Sequence, residues 1–291
     1  ARDRPLALAH LTLLGESPPS LVRTAADAGY DGVGLRLRAV HPGEEPWSMP
    51  DGSPMLEETR RAMDSSGIEV WDVEVVRVDG DFDPGTLLPL FAAASFLGAT
   101  NINVFPSDDD RDRLVDSLAR LARLANDFNL TILIEPMIYN SVPNLDSCLA
   151  VLEKISEPNV GMIVDAMHFH RFGGQPSDIS RIPEGALRVF QMCDAPLTLP
   201  ERFDVSGPLP RNQSLEVDSV ALEGRAFRLL PGEGELPLAE MVSQLPPSVP
   251  ISVEAPCFPL QRELSAIDIA RRAHSGAMQV IEAAHELTES A

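Results

Sequence analysis

Short apolar, β-rich runs alternate with amphipathic helical stretches from one end of the chain to the other, and few architectures accommodate that rhythm. Eight runs read as strands: LALAHL (6–11), GVGLRL (32–37), IEVWDVEVV (68–76), ATNINVF (99–105), LTILIEP (130–136), VGMIVDA (160–166), LRVFQMCDA (187–195) and PISVEA (250–255). Between them lie helical stretches such as SLVRTAADAG, closed by Gly29, MLEETRRAMDSSG, closed by Gly67, and DRLVDSLARLARLANDF, whose apolar residues recur at helical spacing. Eight strand–helix units in 291 residues predict one α/β domain over 1–291, a closed (β/α)8 TIM barrel rather than an open doubly wound sheet. No GxGxxG follows the first strand, so the dinucleotide-binding alternative lacks its phosphate-binding turn.

Two stretches break the rhythm. The Pro-rich connection 196–231 is too long for an ordinary loop and is expected to be a long insertion serving as a lid, a binding loop, a surface excursion or an oligomer contact. The shorter HPGEEPWSMPDGSP (41–54) invites the same readings.

Composition narrows the partners. Lys plus Arg number 23 against 44 Asp plus Glu, and the resulting charge of −21 repels phosphate backbones and anionic membranes. The carboxylates are scattered, as on a solvated acidic surface. No run is long enough to span a bilayer and the first residues lack a signal-peptide pattern, so a cytoplasmic protein is expected. Lys154 is the one lysine and falls in a helical stretch, which disfavours Schiff-base and P-loop chemistry. Cys148, Cys193 and Cys257 are odd in number and widely spaced, as expected of reduced thiols. Cys257 follows a strand end, where a packed thiol is the ordinary finding.

In a parallel barrel the carboxyl ends of all strands open into one mouth, so the residue at each end is informative. Strand five ends in Glu135, strand six in Asp165, strand seven in Gln191 and Asp194, and strand eight in Glu254. Strands one to four offer His10, Arg36, Glu74, Arg77 and Asn103. Any one of these alone is best read as a solvated or loop-bonded strand end. Several carboxylates on neighbouring strands are another matter: they repel severely unless a positive charge sits among them, and a divalent ion meets that need. Hard oxygen donors favour Mn²⁺ or Mg²⁺, with Co²⁺ and Zn²⁺ as substitutes. His168 and His170 follow Asp165; if MHFH continues extended, both rings face one side. His41, His274 and His285 fall in loop or helix and are given no role.

The segments ILIEP, NVGMIVDAMHFH, VFQMCDAP, FRLLPGEGELPL and ISVEA resemble the xylose isomerase-like TIM-barrel superfamily. The likeness is to the branch with inosose isomerases and dehydratases, ketohexose 3-epimerases, hydroxypyruvate isomerases and 3-dehydroshikimate dehydratases. It covers nearly the whole barrel, and its specific part lies between residues 130 and 256. The resemblance implies one divalent ion held by Glu135, Asp165, Gln191 and Glu254. Glutamine stands at 191 where the family more usually has histidine, and its carbonyl still suits Mn²⁺ or Mg²⁺. The family's histidine after the aspartate falls on His168, and its arginine before the PG turn falls on Arg228. The related endonuclease IV-type enzymes need many histidines for three zinc ions, and those histidines are missing here.

The chemistry implied is proton abstraction beside a carbonyl, with Glu135, Glu254 and His168 as catalytic groups and His10, Arg36, Glu74, His170 and Arg228 contacting the substrate. Return of the proton to carbon gives isomerisation or epimerisation of a keto sugar, cyclic polyol or hydroxy acid. Loss of a β-hydroxyl gives dehydration of the 3-dehydroshikimate or inosose kind. A third reading is a barrel that binds a metal or ligand without turnover. A homo-oligomer is compatible with all three.

Overall fold

The computed structural model describes residues 4–41 and 43–290. All eight expected strands form: β1 (Leu6–Ala9), β2 (Gly32–Arg36), β3 (Glu69–Val78), β4 (Asn101–Pro106), β5 (Thr131–Ile134), β6 (Val160–Asp165), β7 (Leu187–Met192) and β8 (Ile251–Val253). Each pairs in parallel with its neighbours in sequence, and β8 returns to β1, so the sheet closes into a barrel.

Among the described residues ten α-helices accompany the strands: α1 (Pro18–Ala28), α2 (Pro54–Ser66), α3 (Leu88–Leu97), α4 (Arg111–Asn126), α5 (Leu145–Leu152), α6 (Ala166–Arg171), α7 (Ser219–Ala226), α8 (Leu238–Ser243), α9 (Phe258–Gln261) and α10 (Ala266–Glu289). Their starts follow local chemistry. Ser53, Asp110 and Ser265 accept hydrogen bonds from first-turn amides of α2, α4 and α10, replacing partners that a helix start otherwise lacks. Gly29 and Gly67 end α1 and α2 in the left-handed conformation that a Cβ disfavours.

The main core lies between strands and helices, where Leu8, Leu35, Ile102, Val164 and Phe190 meet apolar helix faces such as Leu118 and Leu121 of α4. Inside the barrel, Leu133, Ile163 and Val189 form a small separate cluster. Above it the inward residues turn polar. Register sets them side by side: Arg36 opposite Glu74, and Asp165 opposite Gln191. Parallel neighbours project to the same face, so these pairs share the barrel's interior mouth.

The connection 196–231 differs from a bare loop. It contains a single turn at Pro210–Asn212 and then α7, which Asp218 caps by accepting from the Ala221 amide. No described helix is long and apolar enough to cross a membrane.

Candidate metal centre and active-site cavity

Glu135, Asp165 and Glu254 come together at the barrel mouth, with one oxygen of each lying within 4.8 Å of the others. All descend from strand ends, which is why three residues so distant in sequence share one point. Asp165 Oδ1 accepts from the His168 amide at 2.9 Å, and Glu254 Oε1 accepts from Gln191 Nε2 at 3.1 Å. Glu135 Oε1 and Gln191 Oε1 are buried and have no hydrogen-bond partner.

Arg228 enters this cluster from the far side. Its Nη1 donates to Asp165 Oδ2 at 2.5 Å and lies 3.1 Å from Glu254 Oε2, while Nε donates to the Gly224 carbonyl at 2.7 Å. Burial opposes the charge on Arg228, but Asp165, Cys193 and Glu254 outweigh it and hold the guanidinium well above its usual range. Ionised together, three carboxylates against one guanidinium would leave two negative charges uncompensated. Burial, followed by the mutual repulsion of the acids, accordingly drives Glu135 well above the carboxylate range. Burial likewise raises Glu254 to about 8, despite the opposing pull of Arg228. A dication balances that deficit, and the two unpaired oxygens of Glu135 and Gln191 are hard donors suited to it. The residues present therefore fit one divalent ion.

His168 is buried and neutral, its pKa pushed down to about 3 by burial despite the attraction of Asp165. Arg228 Nη2 lies 3.2 Å from Nε2. An arginine can only donate, so Nε2 accepts and the ring proton rests on Nδ1, which is unpaired. Tyr139 Oη is 3.3 Å from the same Nε2, and Glu135 Oε1 is 3.9 Å away.

Above the carboxylates opens a cavity of about 310 Å³. Glu135, Glu254 and His168 lie at its floor, and Arg36, Glu74, Arg77, Arg225 and Arg228 contribute to its wall, together with Tyr139 and His41. Glu74 is buried with Oε1 unpaired; burial, only partly opposed by Arg36, lifts it to about 7. Arg77 lies over Phe105, 5.3 Å from the ring centroid, and Phe105 in turn stacks on Tyr139.

Two expected substrate contacts lie elsewhere. His10 is fully buried outside the cavity lining: Nε2 meets the Glu16 carbonyl at 2.8 Å and Nδ1 accepts from the Arg36 amide at 3.0 Å. Both nitrogens are spent on the fold. His170 is also outside the lining, with Nε2 at 2.9 Å from the Leu197 carbonyl. MHFH is not extended. Asp165 caps α6, and in a helix residues two apart diverge, so only His168 reaches the site. Asp194 is structural: its carboxylate accepts from the amides of Ala195, Gly232 and Leu236. A Cβ on Gly234 would come within 2.4 Å of Asp194 Oδ1, which explains the second glycine of PGEG. The cysteines are free and buried.

Tyr139, Arg225 and His41 were invisible as site residues in the sequence. Tyr139 follows Glu135 by four positions on the same loop, and Arg225 precedes Arg228 by three, which are the available signals.

Fold and site together define a class. The chain belongs to the xylose isomerase-like TIM-barrel family, whose sequence model matches residues 22–274. Among solved structures it resembles a xylose isomerase-like TIM barrel/4-hydroxyphenylpyruvate dioxygenase fusion protein at 22% identity and a TM-score of 0.76, over 99% of this chain; the chain spans 44% of that protein's length. It also resembles the IOLI protein, solved with a bound zinc atom, at 16% identity and a TM-score of 0.69, covering 95% and 98% of the two chains. The probable 3-DHS dehydratase AsbF of Bacillus anthracis is similar at 13% identity and a TM-score of 0.70, covering 94% and 98%. At these identities the likeness is one of fold. No curated protein matches the chain by sequence at a significant level.

Proposed function

We propose that the chain is a divalent-metal-dependent enzyme that abstracts a proton beside the carbonyl of a small, hydroxylated, anionic keto compound. The observation that carries this reading is the convergence of Glu135, Asp165 and Glu254 beneath a cavity partly walled by arginines. Glu135, Asp165, Gln191 and Glu254 would hold the ion, with Mn²⁺ or Mg²⁺ matched to their oxygens and Zn²⁺ or Co²⁺ as substitutes. A bound dication supplies Lewis-acid polarisation of the substrate's oxygens.

The chain's own groups do the rest. Glu135 is the base, because its side chain lines the cavity at 13% exposure against 4% for Glu254, whose two oxygens are already engaged by Gln191 and Arg228. His168 and Tyr139 form a neutral pair that can hold or pass a proton at a leaving hydroxyl. Arg36, Arg77 and Arg225 line the cavity and would supply positive charge to an anionic group on the substrate. One free base and a separate neutral proton donor favour dehydration: a proton leaves one carbon, hydroxide leaves the next as water, and a double bond forms between them. The neighbouring AsbF bears the name of such an enzyme. Isomerisation or epimerisation is the second reading, favoured by Glu254 lining the cavity alongside Glu135.

Manganese-loaded protein is to be incubated in D₂O with 3-dehydroshikimate, inososes and ketohexoses and followed by NMR and absorbance. Dehydration gives a new conjugated absorbance; epimerisation washes deuterium into a product without one. Glu135→Gln is expected to lower kcat by about 10²–10⁴-fold. Turnover unaffected by that change, or none with any of these compounds on metal-replete protein, contradicts the proposal.

A further inference from the structure

The two long connections at the barrel mouth clasp each other. The loop after β2 carries Glu45 and Trp47; the connection after β7 carries Arg211 and Asn212, both in the left-handed region with φ of 55°. The Arg211 guanidinium carbon lies over the Trp47 ring, 3.9 Å from its centroid. Arg211 Nε donates to the Glu45 carbonyl at 2.9 Å and Nη2 to the Pro46 carbonyl at 3.2 Å. The Glu45 amide donates back to the Arg211 carbonyl at 2.9 Å, and Asn212 Nδ2 donates to Glu45 Oε1 at 2.7 Å. The Trp47 indole N–H is anchored on the Leu14 carbonyl at 2.9 Å, which ties the clasp to the loop after β1.

From this clasp a short path leads into the cavity. The residue beside Glu45 is Glu44, which is buried and accepts from the Val40 amide through Oε2. Its Oε1 is 3.1 Å from Arg36 Nε, an ion pair not aligned as a hydrogen bond, and Arg36 faces the cavity. A second tie joins the same two connections, because Arg225 donates both to the Ser214 carbonyl and to His41 Nε2. Arg211 and Trp47 are absent from the cavity lining, so whatever they do for the site passes through these neighbours.

We propose that Arg211 and Trp47 form a latch that positions Arg36 and His41 in the cavity wall, setting the affinity for an anionic substrate without touching it. Arg211 and Trp47 are positioning residues. The proposal rests on the functional reading above for the substrate alone; the latch itself is testable without turnover.

The chain has two tryptophans, so Trp71→Phe leaves Trp47 as the sole indole reporter. In that background Arg211→Ala is expected to raise acrylamide quenching of Trp47 about threefold or more, Asn212→Ala to raise it less, and Arg211→Lys to lie between wild type and Arg211→Ala. His41 provides the second readout. Burial, then Arg225, holds its pKa down to about 4, with Arg36 and Arg77 acting the same way and Glu44 opposing them. Its ring signal, assigned by comparison with His41→Gln, is expected to titrate nearer its ordinary value in Arg211→Ala. With 3-dehydroshikimate as probe, KM is expected to rise about tenfold while kcat stays within about twofold. Unchanged quenching, or raised quenching with the His41 midpoint unmoved, overturns the latch. Absence of turnover by the unsubstituted protein counts against the functional reading and leaves the two spectroscopic outcomes decisive for the latch.

Discussion

His10 and His168 are both buried and both neutral, for reasons that differ. At His168 the arginine donor takes the ring's lone pair; at His10 two backbone groups take one nitrogen each. Protonating His10 would set an N–H against the Arg36 N–H inside a dry core, and burial accordingly lowers its pKa from 6.5 to about 4. A histidine whose folded pKa is depressed contributes stability that is present above the unfolded value and lost as pH falls through the window from about 6.5 to about 4. Its size is on the order of 3 kcal/mol. Chemical denaturation across that window is therefore expected to show a shallower loss of stability for His10→Gln than for the unsubstituted protein; parallel profiles would contradict this assignment. From sequence His10 looked like a substrate contact because it stands at a strand end. Strand-end position says which side of the barrel a residue occupies, not whether its polar atoms are already spent.

The strands were legible because each carries its own apolar run, and the barrel's parallel register then brings Glu135, Asp165, Gln191 and Glu254 to one end. The segment after β6 misled where a local signal was present: an aspartate three residues before His168 is a helix cap, and its bond to the His168 amide turns MHFH into α6. The connection 196–231 was harder to read, since α7 is short and draws its stability from Asp218 and from contacts made across the mouth. Asp218→Ala should cost about 1 kcal/mol of local helix stability. Amide exchange in α7 is expected to speed roughly fivefold, with kcat/KM falling because Arg225 and Arg228 ride on that helix and its exit. Unchanged exchange in α7 would show that the cap carries no such weight.

Across the protein as a unit, the acidic composition and the acidic mouth are separate matters. The charge of −21 is spread over the surface and bears on partners, whereas three carboxylates focused at one point bear on chemistry. Arg228 supplies the folded chain with part of the missing positive charge, and the remainder is what a dication would bring. A ligand that binds only the native state adds stability by mass action, about 2.7 kcal/mol at a hundred times its dissociation constant. Adding MnCl₂ to metal-stripped protein is thus expected to raise the thermal midpoint, and Asp165→Ala to abolish the rise; an equal rise in both would place the ion elsewhere. Anomalous diffraction from crystals grown with Mn²⁺ locates the ion itself. The expected result is one strong peak per chain, within bonding distance of oxygens from Glu135, Asp165, Gln191 and Glu254. A map with no peak there, and Arg228 as the sole cation among those carboxylates, would contradict it.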